Sequence, residues 1–133
     1  MTAAANKELV RRLHSEVVEA GDLDRLGEFF ADGFTSHNLP PGLPAGIEGV
    51  RAFFAAFGEA LDDLTVTIDV ELAEGDLVAV RTTTSGRQVG PLLGLGPTGE
   101  LVAVDAMDIV RIEDGRIVEH WGLTNAPPVP ASP

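Results

Sequence analysis

The chain has 133 residues, 44% of them apolar, and its formal net charge at pH 7 is −12. It contains no cysteine, which excludes disulfides and thiolate-based metal or redox sites. The acidic charge opposes binding to nucleic acid or anionic membranes, and without a signal peptide or a long apolar run the expected location is the cytoplasm.

The first half of the chain predicts three helices. Residues 6–20 carry apolar side chains at helical spacing, and His14 lies beside this stripe. A second, short helix is expected over 22–30, with an aspartate at its start as the cap. Residues 34–38 are expected to be extended, and a proline-rich turn follows them. The third helix covers 47–61, and its buried stripe is formed by Val50, Phe53, Phe54, Phe57 and Leu61.

The second half of the chain predicts strands. Residues 64–72 place every second, apolar side chain on one face, and 77–89 form the next strand. A glycine-rich loop, 90–99, leads into a long hairpin that covers 100–121. These segments are short, alternate in polarity and follow one another closely, which favours antiparallel pairing.

Helices followed by consecutive strands are typical of an α+β fold. We expect a conical, curved antiparallel sheet wrapped over the N-terminal helices and enclosing an apolar cavity. A cavity of this kind is the first place to look for a ligand. Residues 1–124 would form this domain, and 125–133, NAPPVPASP, would be a proline-rich mobile tail.

Asp108 is the most informative residue of the predicted hairpin. The side chains that share its face of the strand are apolar, namely Val102, Val104, Ala106, Val110 and Ile112. A carboxylate on such a face is costly unless it is paired, hydrogen-bonded or protonated. Asp108 is therefore either a functional acid or base, or a structural carboxylate with a buried partner. Asp105 has the opposite parity and should not share its site.

The residue that faces Asp108 depends on the turn at Asp114 and Gly115. A two-residue turn would place Trp121 opposite Asp108. A three-residue loop with a glycine bulge would instead place His120 there. We favour the second register, which gives an Asp–His pair across one face of the sheet.

Two features of the sequence could indicate a cofactor or a metal site, a glycine-rich motif and the histidines, and neither has the context that such a site needs. Residues 94–99, GLGPTG, match the dinucleotide fingerprint, but a strand rather than a helix is predicted to follow them. The three histidines have no close spacing of the kind that zinc sites show. We therefore expect no nucleotide cofactor and no metal.

Four segments of the chain resemble the SnoaL-like polyketide cyclase family. They are AGDLDRLGEFFADGFTSHN, PPGLPAGIEGVRAFF, GRQVG with GLGPTGE, and MDIVRIEDGRIVEHW. The family shares the ketosteroid-isomerase-like, nuclear-transport-factor-like fold, a conical α+β barrel. That fold hosts isomerases, cyclases, dehydratases, epoxide hydrolases and non-catalytic binders, so the resemblance implies the fold more strongly than the substrate.

The resemblance implies roles for five residues. Asp108 matches the cavity aspartate that acts as general acid or base, while His120 and His14 match positions that face the pocket. Asn38 stands where isomerases have a catalytic aspartate, and Gln88 replaces the histidine of the usual GTHxG. These two departures argue against a steroid-type proton shuttle and against the usual cyclase arrangement.

The expected activity is cofactor-independent acid–base chemistry on an apolar, polyketide-like or polycyclic carbonyl compound. Asp108 would move a proton next to a carbonyl, in an aldol-type cyclisation or an isomerisation, with His120 and His14 assisting. Asn38 and Gln88 would contact substrate oxygens. The alternatives are a non-catalytic protein that binds small hydrophobic ligands and an epoxide hydrolase.

We also expect a homodimer, which the resemblance implies as well. Under the favoured register, four largely apolar side chains point away from the cavity, namely Met107, Ile109, Ile117 and Trp121. A monomer rarely leaves such a wide apolar sheet face in water. The outer face of the sheet is therefore the predicted interface.

Overall fold

The computed structural model describes residues 2–125 and 128–131, and it has the α+β architecture expected from the sequence. The helices are α1 (Ala3–Arg12), α2 (Leu26–Phe29) and α3 (Ile47–Ala60). A π-helical segment, Leu13–Glu19, continues α1, and a 3-10 turn, Leu23–Arg25, precedes α2. The predicted second helix is therefore shorter than expected, and the side chain of Asp22 makes no capping hydrogen bond.

Six strands form one curved, unclosed sheet. They are β1 (Phe30–Ser36), β2 (Leu61–Glu74), β3 (Leu77–Gln88), β4 (Leu101–Glu113), β5 (Arg116–Thr124) and β6 (Val129–Pro130). The order is β1-β5-β4-β3-β2, and β6 pairs with the start of β4. Since β1 and β5 run parallel, the sheet is mixed rather than wholly antiparallel as predicted.

The helices pack against one face of this sheet, and the core lies between the two layers. Helical residues such as Val10 and Val17 meet sheet residues such as Val78, Val110 and Ile117, all of them buried. Ile117 was expected on the outer face, and that prediction is wrong because a bulge in β5 changes the side to which it points. The inner face of β4 is apolar as the alternation predicted.

A bulge in β2 reverses the direction of the side chains that follow it, so part of the predicted inner face points outward. Ile68 pairs with Thr82, whereas Val70 pairs with Arg81, so Asp69 is the extra residue. Beyond this point Val70 and Leu72 turn outward and are 50% and 65% exposed, although the alternation predicted them inside. Glu71 turns inward instead, and its side chain is only 5% exposed.

The β4–β5 hairpin has a register that differs from both alternatives considered from the sequence. Asp114 and Gly115, with φ of 50° and 77°, form a two-residue turn. Ile112 pairs with Ile117, but the register then shifts, and Asp108 pairs with Gly122. The predicted pairing of Asp108 with His120 is therefore wrong because the bulge lies inside the ladder instead of in the turn.

The predicted mobile tail also differs in part. Val129 and Pro130 pair with β4 at Ala103 and Val102, and the backbone of Ala131 donates to the carbonyl of Leu101. Residues 126, 127, 132 and 133 of that tail lie outside the described residues. No helix in the described part of the chain is long and apolar enough to cross a membrane.

Candidate active site

A cavity of about 150 Å³ lies between the helices and the inner face of the sheet. Its walls are mostly apolar, with Val10, Phe34, Phe54, Val80 and Val110 among them. Seven polar side chains also line it, namely His14, Asn38, Thr82, Thr84, Asp108, His120 and Thr124. An apolar enclosure with a few convergent polar groups is typical of a small-molecule site.

Asp108 and His120 form the central polar contact of the cavity. Nε2 of His120 lies 2.6 Å from Oδ1 of Asp108, which is the length of a strong, charge-assisted hydrogen bond. His120 pairs with Val110 and Asp108 with Gly122, so the two side chains meet diagonally across the sheet. The predicted Asp–His contact is therefore present, although the register that was expected to produce it is not.

Gly122 leaves the space in which this contact forms. A Cβ at position 122 would collide with Oδ1 of Asp108 and would lie 2.8 Å from Cε1 of His120. Sequence reasoning missed this residue, although a glycine inside a strand is a signal of close approach by another group. The backbone N–H of Gly122 also donates to Oδ1 of Asn38 at 3.0 Å.

Asn38 lies in the cavity wall as predicted, and its orientation is fixed. Because a backbone N–H can only donate, the atom that it meets must be the amide oxygen. The Nδ2 group of Asn38 has no hydrogen-bond partner among the described residues. It is therefore available to donate to an oxygen of a ligand.

His14 reaches the cavity from the π-helical segment. Its Nδ1 lies 2.9 Å from the carbonyl oxygen of Val10, and since a carbonyl only accepts, Nδ1 carries the proton. Burial lowers the pKa of His14, and the charge of Asp108 acts in the opposite direction. The ring is therefore held neutral, with Nε2 as an acceptor.

Ser36 contacts His120 but does not line the cavity. Its Oγ lies 2.9 Å from Nδ1 of His120, so both ring nitrogens of this histidine are engaged. Ser36 and His120 are paired in the parallel β1–β5 ladder, although 84 positions separate them in the sequence. No local signal in the sequence could have revealed a contact of this kind.

Gln88 does not belong to the site. Its side chain is fully buried and lies outside the cavity lining, where Nε2 donates to the carbonyl oxygens of Gly90, Leu95 and Gly96. Its Oε1 lies 3.4 Å from the hydroxyl of Thr98. The predicted contact with a substrate oxygen is therefore wrong, because the amide is used to hold the 89–100 loop.

The loop with the dinucleotide-like motif is followed by β4, as the sequence indicated, so it presents no helix N-terminus to a pyrophosphate. Among residues 2–125 and 128–131, no group of three or more His, Asp or Glu side chains is arranged to hold a metal ion. Asp105 lies on the opposite face from Asp108, as expected, where it accepts from Thr83 at 3.2 Å.

Comparison with known proteins gives a consistent result. Residues 8–129 match the family model described as SnoaL-like polyketide cyclase. The structure of TsrD from Streptomyces laurentii is similar, with 33% identity, a TM-score of 0.84, and coverage of 94% of this chain and 91% of that one. No curated protein matched the chain.

Two further solved structures are similar. IdmH from Streptomyces antibioticus, described as a candidate polyketide cyclase, is 30% identical, with a TM-score of 0.75 and coverage of 90% of this chain and 91% of its own. A candidate SnoaL-like polyketide cyclase from Jannaschia sp. CCS1 is 31% identical, with a TM-score of 0.77 and coverage of 92% and 87%.

Proposed function

Because this chain belongs to the SnoaL-like polyketide cyclase family, we propose that it is a cofactor-independent acid–base enzyme. Its substrate would be an apolar carbonyl compound of the polyketide-like or polycyclic kind. The observation that carries the proposal is the 2.6 Å contact between Asp108 and His120 inside an apolar cavity. A hydrogen-bonded carboxylate in such a place is suited to moving a proton to or from carbon.

In the proposed reaction, ionised Asp108 removes a proton from the carbon next to a substrate carbonyl. The electron pair of the broken C–H bond forms an enolate. In a cyclisation the enolate carbon attacks a second carbonyl, whose oxygen becomes an alkoxide and takes the proton from Asp108; in an isomerisation Asp108 returns the proton to a different carbon of the conjugated enolate. His120 donates from Nε2 to the carboxylate, which keeps Asp108 oriented toward the cavity. Cyclisation of the aldol type and isomerisation share this first step.

The developing enolate oxygen needs a hydrogen-bond donor, and Asn38 can supply one. Its Oδ1 is held by the backbone of Gly122, and its Nδ2 group, which has no partner among the described residues, would donate to that oxygen. A donor that is already oriented stabilises a developing oxyanion without reorganisation. His14, with its acceptor nitrogen Nε2, would bind a hydroxyl group of the substrate or share its proton.

The size and lining of the cavity support an apolar ligand. A volume of about 150 Å³ is comparable with a cavity that accommodates a single aromatic ring. We therefore propose that the reacting ring or chain segment is enclosed beside Asp108. The remainder of a polycyclic substrate would extend beyond the cavity or require its walls to move.

Replacement of Asp108 by Asn tests the proposal, because it keeps the shape of the side chain and removes its titrating proton. Turnover of carbonyl substrates should fall by about a hundredfold or more while the protein stays folded. Asp105→Asn is the matched control, since Asp105 lies on the same strand but on its outer face. Both variants are measured for turnover and for melting temperature.

Two results would contradict the proposed enzyme. An Asp108→Asn variant with normal turnover and a lower melting temperature would make this carboxylate structural. Tight binding of hydrophobic ligands by the unaltered protein, with no conversion of any carbonyl or epoxide compound, would favour a binding protein of the same fold.

We further propose that the protein is a homodimer, formed through the outer face of the sheet. Met107 and Leu123 are neighbours there and are 66% and 74% exposed, and Ile109 and Trp121 form the next pair of the same ladder. Trp121 stacks on His37, outside the cavity, with ring centroids 5.1 Å apart. Burial of this face against a second copy would remove a contiguous apolar surface from water.

A further inference from the structure

Ser36, His120 and Asp108 form one hydrogen-bonded chain. Oγ of Ser36 lies 2.9 Å from Nδ1 of His120, and Nε2 of the same ring lies 2.6 Å from Oδ1 of Asp108. The backbone around the ring is fixed as well, since the N–H of His37 donates to the carbonyl oxygen of His120 at 2.9 Å. The imidazole is therefore held at both nitrogens and at its own main chain.

The three residues differ in their access to the cavity. Asp108 and His120 line it, whereas Ser36 does not. Ser36 therefore cannot contact an enclosed substrate and can affect the chemistry only through His120. A residue in this position holds the ring so that Nε2 stays against Asp108, and the carboxylate there, which only accepts, selects the tautomer with the proton on Nε2.

The chemistry of a hydroxyl group suits this position. When Asp108 is ionised and His120 is neutral, Nε2 donates to the carboxylate and Nδ1 accepts from the Ser36 hydroxyl. When Asp108 takes a proton from the substrate on its other oxygen, Nε2–H still donates to Oδ1 and Nδ1 still accepts from Ser36. If the ring takes up a proton from solvent at Nδ1, Nδ1–H donates to Ser36 Oγ instead. A serine hydroxyl satisfies both arrangements by rotation, whereas a group that only donates or only accepts would satisfy one.

We propose that Ser36 is a positioning residue for the Asp108–His120 pair. Its hydroxyl holds the His120 ring with Nε2 against Asp108, and it keeps Nδ1 hydrogen-bonded whether or not that nitrogen carries a proton. The inference rests on the proposed function only in assigning proton transfer to this pair. The orientation of the His120 ring by Ser36 follows from the hydrogen bonds of the substrate-free protein.

The other titratable groups around the pair do not replace Ser36. His14 lines the opposite wall of the cavity, and its Nδ1 is bonded to the carbonyl of Val10. Beside Ser36, His37 is bonded to Glu119, with Nε2 and Oε2 2.7 Å apart. Among the described residues, Ser36 is therefore the group that meets Nδ1 of His120.

The test measures the ¹⁵N signals of the His120 ring in the substrate-free protein. The unaltered protein should show one tautomer at neutral pH, with the proton on Nε2. In Ser36→Ala the ring is no longer held at Nδ1 and can turn away from Asp108, so we expect signals averaged between the two tautomers or a second set of signals. Ser15→Ala is the matched control, since Ser15 is exposed and its hydroxyl donates to the carbonyl of Arg11 instead of contacting His120.

A pair of variants of equal shape separates the hydroxyl from packing. Ser36→Thr keeps the hydroxyl and should preserve the single tautomer of His120. Ser36→Val has the shape of threonine without the hydroxyl, and His120 in this variant should no longer show a single tautomer. This comparison remains decisive if the alanine variant folds poorly. Identical His120 signals in the threonine and valine variants would overturn the proposal.

Turnover provides a second, separate readout. With a convertible substrate, Ser36→Val should lower kcat by about tenfold with little change in KM, and Ser36→Thr should restore it. The pH profile of kcat should change shape in the valine variant alone. If the protein shows no turnover, the proposed function is wrong, but the tautomer result still tests the role of Ser36. If the enzyme is active and the tautomers are unchanged in the variants, only the role of Ser36 is wrong.

Discussion

Gly122 shows how one missing side chain makes the candidate site possible. Any Cβ at this position would occupy the space that Oδ1 of Asp108 and the ring of His120 now fill. Gly122→Ala should therefore break the Asp108–His120 contact and lower turnover about as much as loss of Asp108 itself. We expect the free energy of unfolding to fall by about 1–3 kcal/mol, the usual cost of overpacking.

A matched control exists for this substitution. Gly33 lies in β1, and a Cβ added there would meet nothing within 4 Å, so Gly33→Ala should leave turnover unchanged. Denaturant unfolding and turnover are measured for both variants. Normal turnover in Gly122→Ala would contradict the proposed role of the Asp–His contact.

His14 predicts a dependence of stability on pH. Burial lowers its pKa in the folded protein, whereas in the unfolded chain it titrates near the ordinary value of 6.5. Below that pH the unfolded state binds a proton that the folded state does not, so the free energy of unfolding decreases as the pH falls. In His14→Gln this decrease should be smaller between pH 6.5 and about 5.

The glutamates whose pKa values are lowered respond to acid below this window. Hydrogen bonds from Arg12 and His37 lower the pKa of Glu16 and Glu119 below the ordinary value of 4.5, so their contributions are lost at lower pH. His37→Gln serves as a contrast, because His37 is exposed and bonded to Glu119, whereas His14 is enclosed. The free energy of unfolding is measured from pH 7 to pH 5. If it falls by the same amount in the unaltered protein and in His14→Gln, the burial of a neutral His14 is refuted.

Among single residues, the sequence could identify those whose environment is set locally. Asp108 was found from the parity of its own strand, and the structure brings it together with His14, Asn38 and His120 in one cavity. Ser36 could not be found, because its role depends on a pairing with β5 that no local pattern encodes.

At the scale of secondary-structure elements, the alternation of apolar and polar residues predicted which side chains of a strand point inward only as far as the next bulge. The inner face of β4 was predicted correctly because its alternation is uninterrupted from Val102 to Val110. In β2 the extra residue Asp69 reverses the alternation, and in β5 a bulge moves Asp108 opposite Gly122. A bulge adds one residue without changing composition, so the sequence gives little sign of it.

Gln88 leads to a prediction about the 89–100 loop. Gln88→Ala would leave the carbonyls of Gly90, Leu95 and Gly96 without the donor that now serves all three. The free energy of unfolding should fall by about 1–3 kcal/mol, as expected when buried polar groups lose a partner. Backbone amides of the loop, Leu92 and Gly99 among them, should exchange with solvent faster than in the unaltered protein.

Arg87→Ala is the neighbouring control for this experiment. Arg87 is exposed and makes a single side-chain bond to the carbonyl of Gly99, so its loss should change stability and exchange little. Equal exchange rates in Gln88→Ala and Arg87→Ala would show that the buried amide does not hold the loop.

At the scale of the whole molecule, the order of helices and strands was enough to predict the α+β class and the cavity. The hydrophobic stripes of the helices and strands must be buried, and packing the helices on one face of the sheet buries both. The parallel β1–β5 pair was not predicted, because its partners are far apart in sequence and neither strand differs in composition from an antiparallel one.

The outer face of the sheet leads to a prediction about assembly. Its exposed apolar residues are Met107 and Ile109 on β4, Leu123 on β5, and Val70 and Leu72 on β2, with Ala79 and Arg81 of β3 between the β2 and β4 pairs. Two charged clusters flank Met107 and Ile109 along β4, one with Arg111 between Asp76 and Glu119, the other with Arg81 between Asp69 and Asp105. An apolar centre with a polar rim is the usual composition of a protein interface.

Met107→Glu should therefore convert a dimer into a monomer. In a two-fold interface each copy contributes the same residue, so one substitution places two carboxylates in the apolar centre. Burying charges without partners is costly, and we expect the dissociation constant to rise by more than about a hundredfold. Val89→Glu is the matched control, because Val89 is exposed but lies beyond the end of β3. Sedimentation at micromolar concentration decides the outcome, since a monomeric unaltered protein, or a Met107→Glu variant that still sediments as a dimer, would exclude this face as the interface.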